Sequence, residues 1–154
     1  MKYTRIFLFT LLSLSLGFCT TIKDGKSTIK QGVFGRVLWL QGNLMPSPDR
    51  PPAKNQTPAV RTVYIHELTK LSDAEGEAPL FSKINRSLVA KVKSNQDGYF
   101  QCKLKPGKYS VFTQEGDGKF FASLFEGDGS IGSFEVKEGE VTTYHISVNY
   151  KAAY

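Results

Sequence analysis

From Gly32 onward the chain alternates apolar and polar residues in short runs, broken by glycine, proline and asparagine. GVFGRVLWL (32–40) places Val33, Gly35, Val37 and Trp39 on one face, the period-two pattern of a half-buried strand. The pattern returns in VRTVYIHEL (60–68), LVAKVKS (88–94), YFQCKLK (99–105), KYSVFTQ (108–114), FFASLF (120–125), SIGSFEVK (130–137) and VTTYHISVNY (141–150). No window carries a long helical period. Short strands at regular spacing, about seven or eight of them, predict an all-β fold: an antiparallel Greek-key β-sandwich over residues 32–154. Two stretches fall outside the pattern. Residues 44–59 hold five of the seven prolines, which fix φ and donate no backbone hydrogen bond, so a loop is expected there. Residues 69–87 read as a second long, weakly patterned loop with room for a helical turn.

The centre of the chain, SNQDGYFQCKLKPGKYSV (94–111), poses the sharpest choice between chemistry and scaffold. Asp97-Gly98 has hairpin-turn composition, because glycine takes positive φ cheaply and aspartate bonds the turn backbone. Period two then puts Phe100, Cys102 and Leu104 on one face. Cys102 is therefore expected in the core as a small hydrophobe, whereas a reactive thiolate needs an exposed, electropositive setting. Pro106-Gly107 makes the next turn, and Tyr109, with Val111, re-enters the core in the manner of a tyrosine corner. The run Asp97-Gly98-x-Phe100-x-x-x-Leu104-x-Pro106-Gly107-x-Tyr109-x-Val111 resembles the hallmark of the carboxypeptidase regulatory-like domain. Gly35-Arg36-Val37 with Gly42-Asn43 and Pro46 resembles that family's first strand and turn. Phe134-x-Val136-Lys137-x-Gly139-Glu140-Val141 resembles its last hairpin. The resemblance implies a transthyretin-like (prealbumin-like) sandwich of a kind common in exported proteins of the Bacteroidota, mostly accessory and non-catalytic.

The beginning of the chain says where the protein goes. Lys2 and Arg5 precede an uncharged, mostly apolar run from Ile6 to Leu16, shorter than the roughly 20 residues a bilayer crossing needs. Residues 1–18 are expected to be a signal peptide. Leu16-Gly17-Phe18-Cys19 resembles a bacterial lipobox, with Phe18 where the pattern has a small residue, and makes Cys19 the expected lipidation site. The rival cut, after Ser15-Leu16-Gly17, would leave a secreted chain beginning at Phe18. Residues 19–31 are polar, without a core pattern, and read as a tether or in part as a first edge strand. The formal net charge is +6, and Lys2 and Arg5 leave with the signal segment. The remaining lysines are scattered rather than clustered, so nucleic acid is not an expected partner. Cys19 and Cys102 are the only cysteines, which excludes a disulfide framework and any Cys-x-x-Cys site.

Candidate chemistry is thin. Calcium needs carboxylates at both ends of an EF-hand loop, and the frame from Lys93 to Leu104 has none there. The repeated EGDG segments offer Glu115, Asp117, Glu126 and Asp128, with Asp117 and Asp128 the candidate metal ligands. If residues 120–125 form one strand, the two loops lie roughly 20 Å apart at about 3.3 Å per residue and cannot share an ion. His66 and His145, each expected within a strand, have no cysteine pair to complete a zinc site. Ser130 lacks the G-x-S-x-G elbow of a nucleophile. The enzymatic branch of the transthyretin-like fold, the hydroxyisourate hydrolases, carries a terminal Tyr-Arg-Gly-Ser, where this sequence reads VNYKAAY. Trp39, Tyr64, Tyr99, Phe112, Phe120, Phe121 and Phe125 are candidate aromatic contacts, and adjacent Phe120 and Phe121 must face opposite ways. The expectation is a non-catalytic module of the cell envelope. It is expected in the periplasm or on the outer membrane as a lipoprotein, or secreted if Cys19 is not lipidated. It is held to the membrane through the lipid on Cys19, uses no cofactor, and has a structural or binding role toward a protein or glycan. A calcium-stabilised or carbohydrate-binding module is the alternative, and a small hydrolase the third reading.

Overall fold

A computed structural model describes residues 22, 25–45 and 56–153. The chain is all-β, two sheets packed face to face. The five-stranded sheet is organised around β1 (Gly32–Asn43). The first half of β1 lies between β7 (Tyr99–Cys102), antiparallel, and β11 (Val141–Thr143), parallel. Its second half lies between β2 (Gln56–Pro58), antiparallel, and β12 (Ile146–Ala153), parallel. The seven-stranded sheet runs β4 (Ala74–Glu77), β5 (Leu80–Ile84), β9 (Phe120–Phe121), β8 (Gly107–Gln114), β3 (Thr62–Glu67), β6 (Leu88–Lys93). In it β10 (Ser133–Val136) also pairs with the first half of β8.

The sandwich expected from the alternation is present, with two corrections. Among the described residues the strands number twelve, because the 44–59 stretch expected as a loop contributes one, β2, because β9 and β11 are fragments, and because 69–87 holds strands of its own. The pairing is mixed, because the last run returns alongside β1 in the same direction. That run is also broken. Tyr144 and His145 lie between β11 and β12, so His145 is not within a strand. At the break the Tyr144 N–H donates to the Phe34 carbonyl over 2.9 Å. Its own carbonyl comes so close to Gly35 that a Cβ there would sit 1.8 Å from the oxygen. Only glycine admits that crossing.

The main core fills the space between the sheets. Val33, Val37, Phe100, Cys102, Ile146 and Val148 from one sheet meet Val63, Ile65, Val92, Val111, Phe121 and Val136 from the other. Cys102 is wholly buried between Phe100 and Leu104, as expected of a structural thiol. Tyr109 packs on this core and its hydroxyl donates to the Lys105 carbonyl, four residues back, over 2.9 Å, the bond of a tyrosine corner. Gly98 holds φ +80 in the turn before β7, beneath the Val37 carbonyl.

A second apolar cluster lies on the outer face of the larger sheet. Val63 and Ile65 of β3 point inward, so Tyr64 and His66 point out, and Phe112 of β8 does likewise. Phe112 is buried there by Phe81, Ile84, Ala122 and Ile131, with Tyr64, Ala74 and Phe120 around them. Phe81 and Ile84 come from β5. The 69–87 stretch is therefore no loop: a 3-10 turn at Leu71–Asp73 leads into the β4–β5 hairpin, which extends the sheet and supplies the cover for its outer face.

The described part of the expected tether is also not free of the domain. Ile22 and Ile29 are buried, and the Thr28 N–H donates to Gln101 Oε1 over 3.0 Å. Polar composition concealed this, because the contacts are made by two isolated isoleucines and by side-chain amides rather than by an apolar stripe.

Candidate binding cleft

The second EGDG segment and the strands beside it frame an open cleft of about 250 Å³. Leu68, Lys108, Glu126, Asp128, Ser130, Ser133, Phe134 and Glu135 line it. Lys108 is on β8 and Ser133 to Glu135 are on its partner β10, in register as Phe134 opposite Tyr109 and Glu135 opposite Lys108. The opposite wall is the 126–130 turn. Gly129 N–H donates to the Glu126 carbonyl over 2.9 Å, and Glu126 N–H to the Ser130 carbonyl over 2.9 Å, which closes the turn on itself. The Leu71 N–H bonds Gly129 from the 3-10 turn of the 69–87 stretch, tying the cleft to that stretch.

The acids are held by serines. Asp128 Oδ1 accepts the Ser130 N–H over 2.9 Å and its Oδ2 accepts the Ser130 hydroxyl over 3.0 Å. Those bonds hold the Asp128 carboxyl below the ordinary carboxylate range, the backbone bond contributing most. Ser133 Oγ donates to Glu126 Oε1. The apolar floor is Leu68 and Phe134, and Phe134 is flanked by Tyr109, 5.8 Å centroid to centroid, and Tyr144, 5.6 Å. Burial first, then the negative charge of Glu126, pushes the Tyr144 hydroxyl up to about 12. The arrangement thus presents fixed carboxylate oxygens, one ammonium and an apolar floor, on strands that the sandwich holds in register.

The two EGDG segments, alike in sequence, do different work. In the first, Glu115 turns inward and is buried. Arg61 Nε donates to both of its oxygens at 3.0 Å, Thr113 Oγ1 to Oε1 at 3.0 Å, and Tyr150 Oη to Oε2 at 3.3 Å. Asp117 stands exposed in the left-handed region at φ 63. Residues 120–125 do not form one strand: β9 stops at Phe121, and Phe125 makes an isolated bridge with Ile131. The two EGDG turns are therefore not held apart by one continuous strand. Among the described residues no group of three or more His, Cys, Asp and Glu side chains is arranged to hold a metal, and Asp117 and Asp128 are not brought into one.

The other candidates are scattered over the fold. His66 is buried edge-on to Phe112 and Phe120, with Nδ1 2.8 Å from the Arg86 carbonyl. Since a carbonyl accepts, Nδ1 carries the proton, and the buried Nε2 is left without a hydrogen-bond partner. Burial lowers the pKa of His66, against the opposing pull of the Arg86 carbonyl. His145 is exposed. Phe112 and Phe121 are core, Phe121 facing the main cluster while Phe120 sits with the outer one. Trp39 packs edge-on to Tyr150 and lies beneath the Arg61 guanidinium at 5.3 Å. Tyr99 stacks with Phe34 under Arg36. Phe125 alone among the seven is classed exposed. Cys19 lies outside the described residues. Lys108, Ser133, Phe134, Glu135 and Tyr144 were not among the sequence candidates, although the Phe134-x-Val136 pattern did place that strand.

No family model matches the chain, and neither a curated protein nor a solved structure matches it significantly.

Proposed function

We propose that the protein is a non-catalytic binding module of the cell envelope, of the carboxypeptidase regulatory-like kind, exported and anchored by lipid on Cys19, and that its site is the cleft beside Asp128. The observation that carries the binding role is the cleft itself: the Glu126–Ser133 and Asp128–Ser130 pairs face Lys108 across an apolar floor on paired strands. Both serine hydroxyls spend their protons on carboxylates, which leaves the remaining oxygen lone pairs as fixed acceptors. Such a wall suits a ligand rich in hydroxyl or amide donors, and a glycan of the envelope has that chemistry. Six of the eight lining residues are polar or charged, a wall that orients a hydroxyl-bearing ligand by hydrogen bonds. Serine held by a carboxylate with no imidazole alongside is poorly placed to act as a nucleophile.

The test is titration of the ¹⁵N-labelled domain with soluble peptidoglycan fragments and neutral oligosaccharides. Saturable shifts of the Ser130, Ser133 and Phe134 amides, reduced in Glu126→Gln and Lys108→Ala, are the expected result. Shifts confined to Trp39 and Tyr150 would move the site elsewhere, and none at all would refute the glycan reading. The anchor is tested separately by labelling with a fatty-acid analogue in a bacterial host, wild type against Cys19→Ala.

A further inference from the structure

The polar stretch ahead of β1 is pinned to the domain at both ends and in the middle. Asn95 Nδ2 donates to the Ile22 carbonyl over 3.0 Å, and Ile22 is 3% exposed. Gln101 grips Thr28 twice: its Oε1 accepts the Thr28 N–H at 3.0 Å and its Nε2 donates to Thr28 Oγ1 at 2.8 Å. Gln31 Nε2 donates to the Leu104 carbonyl at 2.8 Å, and its Oε1 accepts the Gly139 N–H at 2.9 Å. Phe100 and Cys102 point into the core, so Tyr99 and Gln101 stand on the outer face of the smaller sheet. The stretch lies across that face. Gln101 is wholly buried there, and Gly25 fits against the Tyr99 ring, where a Cβ would come within 3.0 Å. A buried side-chain amide requires its partners, and Thr28 supplies two of them.

Two residues, Thr20 and Thr21, separate Cys19 from Ile22, so the reach is at most about 11 Å. A free leash of a dozen residues would instead average about 20 Å and point nowhere in particular. Among the described residues the exposed charges on and beside the docked stretch are Lys26, Lys30, Lys103 and Lys105, with Asp97 as the acid next to β7. Glu138 and Glu140 enter only at the Gln31 end, away from the anchor. We propose that this docked segment makes the lipid anchor short and directional, holding the outer face of β7 against an anionic bilayer surface. The proposal rests on the reading of Cys19 as the lipidated residue. Lysines near an anionic leaflet add electrostatic attraction to the acyl chains' insertion, a combination of two signals that makes anchoring stable. The opposite edge of the molecule, with β4, then faces away from the membrane, open to partners.

The experiment uses the full chain, lipidated in a bacterial host and reconstituted into vesicles containing phosphatidylglycerol and a headgroup-quencher lipid. Because Cys102 is buried, a fluorophore can be placed selectively on Lys103→Cys or on Glu77→Cys. The expected result is quenching at position 103 several-fold stronger than at 77, and loss of that difference when twelve Gly/Ser residues are inserted between Thr21 and Ile22. Gln101→Leu should speed tryptic cleavage after Lys26 and Lys30 at least several-fold in the soluble Cys19→Ala protein while the core remains intact. Lipid on Cys19 with equal quenching at both positions would overturn the apposition and leave the anchor standing. A chain that takes up no lipid would overturn both. Cleavage after Lys26 as fast in the Gln101 parent as in Gln101→Leu would overturn the docking.

Discussion

Replacing Arg61 by methionine should be among the most damaging surface-adjacent substitutions in this protein. Glu115 is nearly sealed, its side chain 2% exposed, and Arg61, 29% exposed, is its only ion-pair partner among the described residues. Breaking a buried pair from one side typically costs about 3–5 kcal/mol, because the charge left behind has lost its compensation. Two effects reduce that figure here. Thr113 and Tyr150 still donate to the carboxylate, and the space vacated by a partly exposed arginine admits water. A loss of about 2–3 kcal/mol is therefore expected, which for a domain of this size lowers Tm by about 10 °C. Urea denaturation is the assay, read at Trp39, the only tryptophan, which lies 5.3 Å beneath the guanidinium. The companion variant Glu115→Gln keeps the shape and removes the charge, and the double variant Arg61→Met with Glu115→Gln should recover at least half of the loss. If Arg61→Met melted within 1–2 °C of wild type, or if the double variant lost the sum of both single changes, the pair would not be coupled and the reasoning would fail.

Four further outcomes are expected. Cys102→Ser, which places a hydroxyl against Phe100 and Leu104, should cost about 1–3 kcal/mol, and the native thiol should react with a thiol reagent only as fast as the domain opens. Gly98→Ala should lower Tm by several degrees, since φ is +80 and the new Cβ would lie 2.4 Å from the Val37 carbonyl oxygen; an unchanged melt would place the turn wrongly. His66 has a pKa below its ordinary 6.5 in the folded state, so the unfolded chain binds the proton more readily. The stability from neutral His66 is complete above about 6.5 and falls as the pH drops through the lowered value, and His66→Phe should flatten that part of the pH–stability curve. Calcium and chelator should leave Tm unchanged, because among the described residues no group of three or more ligating side chains is arranged around an ion; a rise with calcium would argue for a metal-stabilised turn.

The strands were legible where one face is buried and the other wet. Val63 and Ile65, or Phe100 and Cys102, alternate with polar or outward residues, and the turns between them carry Asp97-Gly98 and Pro106-Gly107. The inward Cys102 and the Tyr109 corner followed from the same counting. The β4–β5 hairpin was not legible, because a register shift between Glu75 and Gly76 and the doubled polar pair Ser82-Lys83 break the alternation that would announce it. The parallel return of β12 was hidden for a different reason: period two gives the face of a strand and never its neighbour. The cleft joins Lys108 to Glu126 through β10, whose Glu135 pairs with Lys108 and whose Ser133 donates to Glu126, so no local motif advertises it. The glutamate of one EGDG turn is buried and that of the other exposed, a difference set by whether an arginine waits beneath.

The pairing of β1 with β12 also dictates an order of events. Val37 and Ile146 are partners in register, more than a hundred positions apart along the chain, and Trp39 meets Val148 likewise. The strand β1 cannot complete its sheet until β12 is present. Until then Val37 and Trp39 lack one flank, while the shorter-range pairings of β3 with β6, or β8 with β10, are free to form earlier. Contacts of such long sequence separation carry the entropic cost of closing a large loop and slow the folding of β-rich domains. A half-emerged chain is thus obliged to stay open along the β1 edge, which delays final structure until β12 has been made.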